Sequence, residues 1–315
     1  FMDYGPFFDQ LSKGEVIAPL PSLTLSAADN TFYRAVTGDQ HLLAANSDLY
    51  RRVSGGSKEV VNPGLIMQIS IGQTTNATRK AIANLYYRSV EILRPVEVGE
   101  TLSTSTVVLG LRDASPKADL NRGKVWLGIE TRSGEEMIAR YERVALLPCA
   151  GDAPGHSDEI PGPTDPASLD SWTSLVPSWN MSSLPETAWM IGEERRDPLA
   201  DHVDLAPALA RFTFNQAAIH RDLEASSFGE RLVYGGHTQG LAQASLTRLL
   251  PGLATVLGWD GCDHLGPVFE GDRLSFRHIL KEEFLLHDGR ILRFETRASR
   301  DGEDVLLWTP IVVAA

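Results

Sequence analysis

The chain has 315 residues, 43% of them hydrophobic and 22% charged, with a formal net charge of −12. That length suits two ordinary domains or one very large one, and the composition belongs to a globular protein with a sizeable core, not to a disordered chain. The acidic balance excludes a sequence-independent grip on nucleic acid, which needs a basic face to release phosphate counterions, but leaves room for a local cationic pocket.

In chain order, SAADNTFYRAVTG (26–38) predicts a helix with Ser26 as N-cap and Gly38 at its end. VNPGLIMQISIGQTT (61–75) predicts a second, with Leu65, Ile66 and Ile69 at helical spacing behind a Pro-Gly start. Two strand-like runs follow, Asn84 to Leu111 and Lys124 to Leu147. In the latter, Val125, Leu127 and Ile129 alternate with Trp126, Gly128 and Glu130, as on a sheet with one face against a core. Residues 150–185 are rich in Gly, Pro, Ser and Asp and read as a connection, with Trp172 and Trp179 as apolar anchors.

Beyond it the same order returns. YGGHTQGLAQASLTRLL (234–250) is an apolar helix, and RILRFETRASRDGED (290–304) aligns with VWLGIETRSGEE (125–136). LRPVEVGETLS (93–103) reappears as LGPVFEGDRLS (265–275), an interval of 172 residues. Between Gly64 and Gly235 the interval is 171, and between Glu130 and Glu295 it is 165, so loops differ while elements correspond. The expected organisation is one unit over 1–150, a linker over 151–185 and a second unit over 186–315. One helix followed by consecutive strands makes each unit α+β, a long helix wrapped by an antiparallel sheet. Pairing the two sheets edge to edge would remove exposed edge strands.

No apolar run approaches the ~20 residues that span a bilayer. FMDYGPFFDQ lacks the charged and apolar regions of a secretory signal, and Cys149 and Cys262 show no CxxC spacing. A cytoplasmic protein without membrane or nucleic-acid partner, cofactor or metal is expected, forming a homodimer of two-unit chains. The eight histidines show no i, i+4 pairing that would bind zinc.

TGDQHLLAAN (37–46) and TFNQAAIHRD (213–222) occupy corresponding places in the two halves. They resemble the hydratase signature of the MaoC-like dehydratases, T-G-D-x-N-P-[IV]-H, carried on an overhanging loop of a hotdog fold. The first half keeps Thr37, Gly38 and Asp39 but has Ala44 at the histidine position. The second keeps His220 and has Asn215 at the aspartate position. VNPGLI and VYGGHT match the family's glycine at the start of the central helix, making Gly64 and Gly235 equivalent. The P-V-x-x-G-acid turns match as well.

The resemblance implies a double hotdog acting on an acyl-CoA or acyl-carrier thioester. The reaction it implies is hydration or dehydration of a 2-enoyl/3-hydroxyacyl unit, with a mesaconyl-CoA-like, short branched or dicarboxylic chain leading. His220 would move the proton, since imidazole titrates near working pH. Asn215 would orient, and Gly235 with Gly236 would present helix N-terminal amides to the thioester oxygen. Tyr234, His237, Asp39 and Gly64 are candidates for lining the acyl site, and Arg88 and Arg94 for meeting CoA phosphates. For each a structural role stands beside the functional one: core packing for Tyr234, capping for His237, hydrogen bonding for Asp39, a solvated face for the arginines. A hotdog thioesterase using Asp39, or a non-catalytic acyl-CoA-binding protein, are the competing expectations.

Overall fold

The computed structural model describes residues 5–163, 165–226 and 228–315. Helix α1 (Ala27–Thr37) starts where the Ser26 N–H donates to the Asp29 carboxylate at 2.6 Å and ends at Gly38 in the left-handed region, φ 68°. Short α2 (Leu42–Ala45) and α3 (Ser47–Ser54) precede α4 (Pro63–Gln73), whose residues are buried throughout. A helix apolar on every side belongs inside. In the second half α5 (Ala206–Phe212) and α6 (Gly235–Leu249) take the places of α1 and α4.

Two-residue strands β1 (Val16–Ile17) and β2 (Leu23–Thr24) border the long strands β3 (Ala83–Ile92), β4 (Thr101–Lys117), β5 (Leu120–Ser133) and β6 (Glu136–Pro148). The second half holds β7 (Glu194–Arg196), β8 (Asp201–His202), β9 (Leu253–His264), β10 (Arg273–Leu286), β11 (Gly289–Arg300) and β12 (Glu303–Ala314). The order β4-β5-β6-β3 in the first unit is matched by β10-β11-β12-β9 in the second, and β3 pairs antiparallel with β9 to make one sheet. Edge-to-edge pairing therefore consumes the inner edge of each unit.

At that seam Tyr87 faces Cys262 and Val90 faces Trp259, with Ser89 bulged out at φ 50°. Arg88, an expected phosphate ligand, lies here: its guanidinium donates to both carboxylate oxygens of Asp263, at 2.7 and 3.3 Å, and lies over the Tyr86 ring. The charge binds one unit to the other. On the inner face α4 and α6 pack together, and Gln68 Nε2 donates to the Gly236 carbonyl (2.7 Å) and to Gln239 Oε1 (3.0 Å).

The repeated LxPVxxG-acid stretch is a turn closed by its acid. Glu100 accepts the Glu97 N–H at 2.8 Å, as Asp272 accepts that of Phe269 at 2.8 Å, beside Gly99 and Gly271 at φ 98° and 95°. Arg94, the other expected phosphate ligand, is tied into this turn by Glu100 and by Glu136, each at 2.7 Å. The turn breaks the Asn84–Leu111 run into β3 and β4. In the connection, Trp172 is buried beneath β9, where Gly258 leaves room for its ring, and Trp179 meets Tyr50 edge-on. Among the described residues no helix is long and apolar enough to cross a membrane.

Candidate active site

The two overhanging segments are built alike from different residues. Thr37 Oγ1 donates to the Tyr33 carbonyl (2.8 Å), Gly38 is left-handed, and Asp39 Oδ1 accepts the His41 N–H (2.8 Å). Correspondingly, Thr213 Oγ1 donates to the Leu209 carbonyl (2.9 Å), Phe214 takes φ 59°, and Asn215 Oδ1 accepts the Ala217 N–H (3.0 Å). An L residue in that conformation costs about 1–2 kcal/mol. The turn Asn215 holds leads directly into a 3-10 turn, Ala218–His220.

His220 Nδ1 lies 2.9 Å from the Leu232 carbonyl. A carbonyl only accepts, so Nδ1 carries the proton and Nε2 presents a lone pair. Burial pushes this imidazole down to about 4, and the positive charge of Arg143 acts in the same direction. It is neutral at pH 7.

Across from it stands the start of α6. The first amides of a helix lack intrahelical acceptors, and the N–H groups of Gly235 and Gly236 find none among the described residues. His264, the last residue of β9, lies over Gly235: a Cβ there would come 2.6 Å from its Cε1. Its Nε2 is buried without a partner, and burial, then Arg143, then His220 hold the ring down at about 4. Asn215, His220, Tyr234, Gly235, His264 and Arg143 all line one cavity of about 360 Å³, together with apolar side chains such as Ile82, Leu146 and Val268. That volume is on the scale of a small-molecule site.

The matching place in the first unit is filled. Asp39 Oδ2 accepts from Gln243 Nε2 at 3.1 Å, and the same amide donates to Asn62 Oδ1 at 3.1 Å. A Cβ on Gly64 would meet the Tyr33 hydroxyl at 2.4 Å and Gln243 Nε2 at 2.5 Å. The interval of 171 that relates Gly64 to Gly235 also relates Gly72 to Gln243. Where a glutamine fills the first site, the equivalent position in the other unit is a glycine packed on the overhang, where a Cβ would come 2.0 Å from the Thr213 carbonyl oxygen.

No family model matches the chain. It is 28% identical over 286 residues to mesaconyl-CoA hydratase of Cereibacter sphaeroides, across 85% of this chain and 81% of that protein. To β-methylmalyl-CoA dehydratase of Chloroflexus aurantiacus it is 25% identical over 321 residues, across 94% and 89%. Among solved structures, Rv0216 of Mycobacterium tuberculosis, a protein with a double hotdog fold, superposes with a TM-score of 0.88 at 36% identity, covering 99% of both chains. The chain belongs to the same double-hotdog family as Rv0216. A MaoC domain protein of Chloroflexus aurantiacus has the same fold, with a TM-score of 0.87 at 22% identity over 98% of this chain and 97% of that one.

Of the residues that the family signature singles out, the double hotdog brings Asn215, His220, Tyr234 and Gly235 to the cavity. Gly236 sits one position behind, its carbonyl held by Gln68, while the Tyr234 hydroxyl donates to the Gln68 carbonyl at 3.1 Å. His237 points into the core, fully buried, with its imidazole pushed down to about 4 by desolvation. Asp39 and Gly64 belong to the filled counterpart, and Arg88 and Arg94 to the seam and a turn. Two cavity residues carry no signature. His264 stands where the repeat places Ile92, an imidazole for an apolar side chain. Arg143 is a charge among the inward positions of β6, beside Tyr141 and Ala145. Among the described residues no three His, Cys, Asp or Glu side chains converge as a metal site.

Proposed function

We propose that the chain is a hydro-lyase that reversibly adds water across the double bond of a 2-enoyl-CoA thioester. The observation that carries this reading is a neutral histidine of fixed tautomer sharing one cavity with unpartnered helix N-terminal amides. The relatives named as a CoA hydratase and a CoA dehydratase support it.

In the hydration direction His220 Nε2 accepts a proton from water as the water oxygen bonds to C3. The π pair of C2=C3 moves toward the thioester oxygen, where the Gly235 and Gly236 N–H groups stabilise the developing charge. When that pair returns, C2 takes a proton from His220, and the imidazole is neutral again. Asn215 holds the turn carrying His220 through its Oδ1, leaving its amide nitrogen to direct water. Apolar side chains make up much of the cavity wall and lower the local dielectric, which strengthens each of these interactions.

Hydrolysis of the thioester is a weaker reading, because Asp39, the carboxylate it would require, is enclosed by His41 and Gln243. Purified protein mixed with a series of 2-enoyl-CoA compounds tests the choice. Loss of enoyl absorbance without free thiol supports hydration; thiol release, or no turnover of any chain length, overturns it.

A further inference from the structure

The geometry points to Arg143 as the residue that selects an acyl group ending in a carboxylate, the end remote from the thioester. This inference rests on the hydro-lyase reading for the reaction, but its recognition step is tested separately below.

Arg143 is buried on β6, between Leu127 on β5 and Tyr87 on β3. Its Nη1 donates to Thr74 Oγ1 and its Nη2 to Thr78 Oγ1, while Nε is buried without a partner. No carboxylate among the described residues pairs with it. Burying a charge without a counter-charge is costly, so buried arginines are normally paired. The other buried arginines of this chain obey that rule: Arg88 meets Asp263 and Arg293 meets Asp260, each at 2.7 Å. Arg143 alone among these three faces a cavity, and its charge is felt by both cavity histidines.

The cation is also one-sided. Arg143 pairs with Leu127 across the strands, and Val312 pairs with Leu292, the residue aligned with Leu127 in the repeat. Val312 therefore occupies the equivalent place in the second unit. Only the open site received a charge.

Of the guanidinium's five N–H donors, two are spent on threonine hydroxyls, and the planar fork left over matches a carboxylate. A CoA phosphate is the poorer partner. Those groups are strongly hydrated, and a more exposed arginine, Arg122, lines the same cavity for them.

Two unreactive thioethers decide the matter: 3-carboxypropyl-CoA and butyl-CoA, which differ only in ending on a carboxylate or a methyl. By calorimetric titration the wild-type protein is expected to bind the carboxylate compound roughly ten- to hundredfold tighter, the span of charge-assisted hydrogen bonds. Arg143→Met should bring the two within about twofold by weakening only the carboxylate compound, and Arg143→Lys should keep an intermediate preference. Equal binding by the wild type overturns the proposal without recourse to a variant. So does an undiminished preference in Arg143→Met, or an equal loss for both compounds, which would assign Arg143 to the CoA moiety. Because neither thioether reacts, the result stands whether or not crotonyl-CoA and fumaryl-CoA are hydrated; failure to hydrate either would count against the reaction alone.

Discussion

The imidazole of His264 lies so close over Gly235 that a methyl group on that glycine would sit 2.6 Å from its Cε1 and 2.7 Å from its Nε2. Real side chains do not tolerate such an approach, so the histidine ring and the helix N-terminus share a space that only glycine leaves free.

Gly235→Ala tests this arrangement. The φ of Gly235 lies outside the left-handed region and alanine favours a helix, so the fold should survive with little change in Tm. The added methyl displaces His264 and crowds the thioester seat. We expect kcat/KM to fall about a hundredfold, the magnitude of losing an oxyanion donor. Near-normal activity with a folded protein would detach Gly235 from the chemistry.

The pH profile reports on His220. Its neutral form is the base, and the folded site holds it down to about 4. Activity should therefore be level from alkaline pH down to about pH 6 and decline only as the pH approaches the depressed value. An inflection near the ordinary histidine value of about 6.5 in kcat/KM for a non-ionising substrate would mean that the imidazole is not desolvated.

Stability in acid should follow a different histidine. His278 is fully buried, its Nε2 2.9 Å from Ser245 Oγ and its Nδ1 2.8 Å from Thr296 Oγ1, and burial lowers it to about 3. Its folded value is below its unfolded one, so stability is full above about pH 6.5 and drains as the pH falls, because the unfolded chain takes up the proton first. Each such imidazole costs about 1.4 kcal/mol per pH unit. His278→Gln keeps an amide for the two hydroxyls and removes this linkage. Urea unfolding at pH 7 and pH 5 should show the variant losing about 2 kcal/mol less than the wild type over that interval. Equal losses would show that His278 titrates alike in both states.

Local signals in this chain were readable because they act locally. Ser26, Gly38 and the acids Glu100 and Asp272 do their work within a few residues, so the helix ends and the duplicated turns stood out in the sequence. The pairing of β3 with β9 followed from two similar units each having an edge to cover. The identity of the open site was not readable in the same way. It depends on Gln243 of the second unit reaching Asp39 of the first, a relationship that spans the seam. Arg143 was hidden for a similar reason: it sits in the first unit yet serves a cavity whose histidines come from the second. His264 left a trace, since the repeat sets it against Ile92, but that contrast gains meaning only once the ring is seen over Gly235.

The central claim, that His220 drives addition of water to an enoyl thioester, is tested most directly by turnover of a 2-enoyl-CoA in ¹⁸O-labelled water with mass analysis of the intact thioester. The account predicts a 3-hydroxyacyl-CoA carrying the label at C3, formed at least about a hundredfold more slowly by a folded His220→Gln variant. An unlabelled product, label in a released acid, or an equal rate in the variant would contradict it.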